Sequence, residues 1–169
     1  IDAVISQAGR IDVMINNAGF GISGAIEFTP VEQAKRQLDV NFFGMVNMNH
    51  AALPVLRKQG FGRIVNLSSV AGAIPIPFQA FYSASKAAIN SYTMALANEI
   101  KPFGVQVCCV QPGDIRTGFT AARQKNPMGD DIYGGRIARS VAGMEKDEQN
   151  GMTPEQAGAF VAHTAMRKS

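Results

Sequence analysis

Short apolar runs alternate with long stretches whose apolar residues recur at helical spacing, the pattern of an α/β domain with parallel strands. Ile11–Ile15 reads as the first strand and ends in Asn16-Asn17-Ala18-Gly19, after which comes a loop with Gly19, Gly21 and Gly24. Thr29-Pro30 with Glu32 is a helix-start signal: a capping hydroxyl, proline at the first position and an acid in the first turn. That helix is predicted to run to about Lys58, bent near Asn41–Gly44 and Pro54. Gly60–Gly62 breaks it, and Arg63–Leu67 is the second strand. A loop over Ser68–Phe78 leads into a second long helix, Ala80–Ile100, closed by Lys101-Pro102-Phe103-Gly104. Val105–Val110 is the third strand. Pro112-Gly113 then opens a long region expected to be irregular as far as about Met152. Thr153-Pro154-Glu155 repeats the helix-start signal, and the last helix carries Ala157, Phe160, Val161 and Ala165 on one face.

Parallel strands joined by right-handed helical crossovers are predicted to lie side by side in sequence order. Three such strands make only part of a doubly wound sheet, and one edge would expose apolar strand surface. Ile1–Gly9 reads as the end of a helix, and the chain stops on another. The expectation is therefore one partial domain over residues 1–169, cut at both ends.

Composition narrows the class. A chain of 169 residues suits one domain, and 46% hydrophobic against 17% charged residues makes it globular. The net charge of +3 is scattered, without the basic stripe that nucleic acid requires, so no nucleic-acid partner is expected. The alternating charges of Glu145–Glu148 read as a solvated turn or helix end. No run of eighteen apolar residues and no signal-peptide pattern occurs. No membrane partner is expected and the cytoplasm is the default, subject to any segment preceding Ile1. Cys108 and Cys109 are neighbours in an apolar strand and point to opposite faces, so the reading is two buried thiols in a reducing compartment, with no disulfide.

Candidate chemistry clusters at strand ends. Tyr82 and Lys86 are four apart at the start of the second long helix, so both project from one face. A phenol titrates near pH 10, and an ammonium one turn away favours the phenolate, making the tyrosine a usable general acid or base. Taken alone, such a pair is common on ordinary surface helices. Ser69 follows the second strand, where a parallel sheet holds its ligands, although Ser68 fits equally on position and a plain loop serine is the bland reading. Asn41 sits in a helix interior that asparagine disfavours, either as a packed polar contact at a kink or as an amide holding water for proton exchange. Asn17, Ala18 and Gly19 offer a small surface for a flat cofactor, or simply a turn. Pro112, Gly113 and Thr117 leave the third strand in the equivalent place. No metal site is assigned. Independent structural roles would scatter these residues; instead all fall at the carboxyl ends of strands or on the helix facing them.

Asn16-Asn17-Ala18-Gly19, Asn41, Ser69, Tyr82-Ser83-Ala84-Ser85-Lys86 and Pro112-Gly113 through Thr117 resemble, in order and spacing, the motifs of the short-chain dehydrogenase/reductase family. The likeness runs from about Ile11 to Thr117, and Gly72–Asn90 is similar to the hydroxysteroid and retinol dehydrogenase side of the family. The resemblance implies a Rossmann-like sheet and an NAD(P)-dependent oxidoreductase of carbonyl/alcohol pairs. It implies that Tyr82 exchanges the proton and that Lys86 tunes it and holds the nicotinamide ribose. Ser69 would polarise the substrate oxygen and Asn41 anchor a relay water. Asn17, Ala18 and Gly19 would line the adenosine side of NAD or NADP, and Pro112, Gly113 and Thr117 its nicotinamide end. It further implies a homodimer or homotetramer through the two long helices.

One departure is large. The family's glycine-rich turn after its first strand, which seats the pyrophosphate on a helix N-terminus, has no counterpart, so the N-terminal βαβ half is read as lacking. The position that selects NAD or NADP lacks a counterpart as well. Weak or no cofactor binding, and no activity, are expected of these 169 residues alone. Residues 113–152 are expected to cover the substrate, and their Phe119, Met128, Ile132, Tyr133 and Met144 suit a hydrophobic carbonyl or alcohol. Arg116, Arg123, Arg136 and Arg139 are expected mostly to face water. A non-redox epimerase or dehydratase, and a silent cofactor-sensing or interaction module, remain open on the same scaffold.

Overall fold

In the computed structural model, which describes residues 1–167, the chain runs α1 (Asp2–Ala8), β1 (Val13–Asn16), β2 (Ile22–Ser23), α2 (Val31–Leu38), a π turn (Asp39–Phe43), α3 (Gly44–Gln59), β3 (Gly62–Leu67), α4 (Ala80–Ile100), β4 (Val105–Val110), α5 (Phe119–Ala122), β5 (Gln124–Lys125), α6 (Arg136–Asn150) and α7 (Pro154–Met166). The expected domain end at Lys168 and Ser169 lies outside the described residues.

The three apolar runs form one parallel sheet in the order β1-β3-β4, as the sequence predicts. Val13 pairs with Arg63 through to Asn16 with Asn66, and Gly62 with Val105 through to Leu67 with Val110. Strand side chains alternate between faces, and here both faces are buried. Ile64 packs with Met14, Leu56, Leu96 and Val105 under α3 and α4. Its neighbour Val65 packs with Val110 and Ala165 on the other face, where Val161 of α7 joins them. Burying each of these aliphatic side chains is worth about 1.5–3 kcal/mol, which explains strands that are apolar at successive positions. Among the described residues the outer edges of β1 and β4 have no partner strand, and Ile15 is 44% exposed.

Two glycines shape the ends opposite the crevice. Gly60 caps α3 at φ 75°, and Gly104 at φ 71° leads α4 into β4. A side chain on Gly104 would strike the Gly60 carbonyl, so the two connections can lie together only without it.

The structure corrects several local expectations. Pro30 occupies the N-cap of α2, and the Thr29 hydroxyl donates instead to the Ala25 carbonyl at 2.8 Å, closing the preceding 3-10 turn. The bend expected near Asn41–Gly44 is a π turn, whereas Pro54 is accommodated inside α3. The region after Pro112 is largely ordered into α5, β5 and α6; α6 was hidden because only Ile137 of its fifteen residues is fully buried. The two-residue strands β2 and β5 pair in parallel, too short to leave a pattern. Glu148 does not face water, since it pairs with buried Arg123. Cys108 and Cys109 are free but half-buried. On α7 the Thr153–Gln156 capping box forms as read; Phe160, placed on the apolar face, is 58% exposed. No described helix is long and apolar enough to cross a membrane.

Candidate active site

Parallel strands bring their carboxyl ends to one rim, and the loops leaving β1, β3 and β4 enclose a cleft of about 1100 Å³. Asn17, Gly19, Ser69, Tyr82, Lys86, Pro112, Gly113 and Thr117 line it. Eight positions dispersed from 17 to 117 are thus brought to one surface. Asn41 is buried behind the lining, whereas exposed Ala18 takes no part in it.

The first turns of α4 supply Tyr82 and Lys86. Lys86 Nζ lies 5.7 Å from the centre of the Tyr82 ring and donates to the Leu67 carbonyl at 2.9 Å. Burial lowers the Lys86 pKa to about 8, only partly opposed by the Cys109 thiol. Burial likewise pushes the Tyr82 phenol above its ordinary value. The hydrogen bond with Ser69 and the charge of Arg123 act in the opposite direction, and Glu148 raises it further. With nothing else bound, Tyr82 is therefore a neutral phenol at physiological pH.

The β3–α4 loop separates the two adjacent serines. Ser68 is buried and donates to the Lys86 carbonyl at 2.8 Å, a tie between loop and helix. Ser69 caps the 3-10 turn Val70–Gly72 by accepting from Ala71 N–H at 3.1 Å, and its hydroxyl meets Tyr82 at the cleft. Gly72 lets this loop touch α4: a Cβ there would lie 2.7 Å from the Lys86 carbonyl carbon.

Asn41 sits in the π turn, a widened helical turn that re-aims side chains and often marks functional regions. Its Oδ1 accepts from Phe20 N–H, while its Nδ2 donates to the Phe20 carbonyl and to Ser85 Oγ, all at 3.0–3.1 Å. Ser85 in turn donates to the Tyr82 carbonyl at 2.7 Å. The amide is committed to clamping the β1 loop onto the helix that carries Tyr82. A Cβ on Gly19 would come within 3.3 Å of Asn41 Oδ1 and 3.7 Å of Lys86 Nζ, so only glycine leaves this wall open.

Another part of the lining joins Phe119 and Met144, expected from the sequence near the substrate, to Arg123 and Glu148, which no sequence signal placed there. Arg123 has only 1% of its side chain exposed and pairs with Glu148, which also accepts from Thr120 Oγ1 at 2.6 Å. Its guanidinium lies 5.6 Å over the Phe119 ring, and Phe119 lies 5.7 Å from the Tyr82 ring. Met144, Met152, Phe160 and Val161 add apolar surface to the cleft. Arg123 was among the arginines expected mostly to face water; sequence position alone does not separate it from the other three. No group of three His, Cys, Asp or Glu able to hold a metal occurs among the described residues.

Residues 1–127 match the family described as short chain dehydrogenase. A 3-ketodihydrosphingosine reductase of Bacteroides thetaiotaomicron is 46% identical over 171 residues, a match covering all of this chain and 64% of the relative. A short-chain dehydrogenase from Streptomyces avermitilis superposes with a TM-score of 0.83 at 31% identity, covering 99% of this chain and 61% of the other. A 3-ketoacyl-(acyl-carrier-protein) reductase from Brucella melitensis, complexed with NADH, gives 0.77 at 25% identity, with 97% and 63% covered. The chain thus spans somewhat less than two thirds of these proteins.

Proposed function

Since the chain belongs to the short-chain dehydrogenase family, we propose that it carries the proton-exchange centre of a nicotinamide-dependent oxidoreductase acting on carbonyl/alcohol pairs. The observation that carries this reading is that Ser69, Tyr82 and Lys86, the last one helical turn from the tyrosine, line one cleft at the sheet's carboxyl rim. A substrate carbonyl oxygen seated between Ser69 and Tyr82 receives a hydrogen bond from the serine and a proton from the phenol; in the oxidation direction the phenolate takes the proton back. Lys86 keeps a positive charge beside the ring and offsets the phenolate.

The residues present fit the nicotinamide end of such a cofactor. Gly19 leaves a gap beside Lys86 that a Cβ would fill, and no atom lies within 4 Å of the Cβ position at Gly113. Lys86, Pro112, Gly113 and Thr117 would hold that end, with Asn17 and Gly19 toward the adenosine side. The cofactor, when bound, supplies or takes up the hydride; the chain orients the substrate and handles the proton. The NADH complex of the Brucella reductase supports this choice of cofactor class. The Asn41 amide positions the Gly19 loop and α4, and its Oδ1 keeps a second lone pair for a relay water. The apolar cleft favours a hydrophobic substrate. Exposed Phe43, Met48 and Met94 leave apolar surface on the two long helices for pairing with a second copy.

The test is Tyr82→Phe in the full natural chain. Turnover with a hydrophobic ketone falls at least a thousandfold while folding and nicotinamide binding persist. Turnover within tenfold of the parent would remove Tyr82 from the mechanism.

A further inference from the structure

The cleft lining holds a charged pair, Arg123 and Glu148, that the proposed chemistry has not used. Arg123 is buried between α5 and β5, and one of its three guanidinium nitrogens bonds Glu148. Its Nε and Nη1 have no partner. Arginine remains protonated in proteins, so this is a fixed cation in a low-dielectric wall with donors left over. Burying unpaired donors is unfavourable, and groups left so in a folded protein mark a strain reservoir or a functional role. The contacts point one way: Glu148 is bonded by Thr120 and Arg123, Arg123 covers Phe119, and Phe119 packs on Tyr82.

We infer that Arg123 is a positioning residue for proton exchange: through Phe119 it seats the Tyr82 phenol, and its charge, trimmed by Glu148, stabilises the phenolate alongside that of Lys86. This rests on the reading of Tyr82 as the proton donor and acceptor. Tyr82 is then served by two cations of different kinds. Lys86, its Nζ bonded to the Leu67 carbonyl, titrates near 8 and loses its charge as the pH rises through that value. Arg123 does not titrate there and supplies a constant field.

The other groups around the phenol are Ser69 on the β3–α4 loop, which favours the phenolate, and Glu148 on α6, which opposes it. Asp114 after β4 also lines the cleft; burial and the nearby Asp147 and Glu148 raise its pKa, which limits its negative charge on acidification. The two members of the buried pair therefore act on Tyr82 with opposite sign.

The experiment follows Tyr82 directly and through turnover. The full natural chain is labelled with 3-fluorotyrosine, and the Tyr82 signal is assigned by its loss in Tyr82→Phe and titrated by fluorine NMR. Arg123→Met moves the Tyr82 midpoint up by half a unit or more and lowers turnover at pH 7 about tenfold, in kcat more than in KM. Glu148→Gln keeps the shape, with Oε1 still accepting from Arg123 and Nε2 donating to Thr120 Oγ1, but moves the midpoint down, and it serves alone if Arg123→Met fails to fold. Arg123→Lys restores part of the shift. Midpoints that stay put, or that move the same way in Arg123→Met and Glu148→Gln, overturn the inference. Opposite shifts in the NMR titration without a matching shift in the pH profile of kcat leave the field effect standing and overturn Tyr82 as the proton-exchanging group.

Discussion

At the scale of single residues, burial sets the chemistry more than neighbouring charge does. Lys86 shows this most directly. An ammonium that titrates near 10.5 when free titrates near 8 in the folded chain, chiefly because burial disfavours its charge. The folded-state value lies below the unfolded one, so between pH 8 and 10.5 the unfolded chain binds more protons and stability rises with pH. Below pH 8 the whole cost of the buried charge is present, about 3 kcal/mol for a shift of this size. Urea denaturation between pH 7 and 10.5 is expected to show this rise, and Lys86→Met to flatten it. An unchanged slope in the variant would locate the pH dependence elsewhere. The Tyr82–Lys86 spacing was legible because the helical repeat places four-apart residues together. The commitment of the Asn41 amide to Phe20 and Ser85 was not, because both partners come from distant segments.

At the scale of elements, the chain marks its strands and helix starts well and its helix interiors unevenly. Val105–Val110 and Ala80–Ile100 have the bounds the pattern predicts, because dense apolar runs closed by glycine or proline leave few alternatives. Thr153 caps α7 as read, with Gln156 N–H donating to its hydroxyl at 3.3 Å and Gln156 Oε1 accepting from Thr153 N–H at 2.9 Å. Thr153→Ala is expected to cost about 1 kcal/mol in chemical denaturation, with Thr153→Asp close to the parent. At Thr29 the same signal misled: proline at the next position serves as the cap, and the hydroxyl finds a nearer carbonyl. Helix α6 escaped because a surface helix with one fully buried residue leaves too faint a periodicity, and the π turn because no sequence rule distinguishes it from a kink.

At the scale of the whole molecule, Arg63 ties the last helix to the sheet. Its Nη1 donates to the Thr164 carbonyl at 2.6 Å near the C-terminal end of α7, where the helix dipole favours a cation, while Nη2 bonds Gln106 on β4. Arg63→Met is expected to destabilise by about 1–3 kcal/mol and to speed amide hydrogen exchange in α7 ahead of β3. Equal acceleration in both elements would mean that α7 and the sheet open as one unit.

The sequence by itself determined the alternation of strands and helices, their parallel order and the motif residues that assemble at one rim, since hydrophobic periodicity, capping chemistry and right-handed crossovers are local or nearly local rules. Only the tertiary structure decided which serine hydroxyl is spent on the Lys86 carbonyl, where the Asn41 amide is spent, and that Arg123 is buried in the cleft wall rather than solvated. Those outcomes depend on which distant surfaces meet, and burial, which sets the worth of a charge or a hydrogen bond, exists only once they have met.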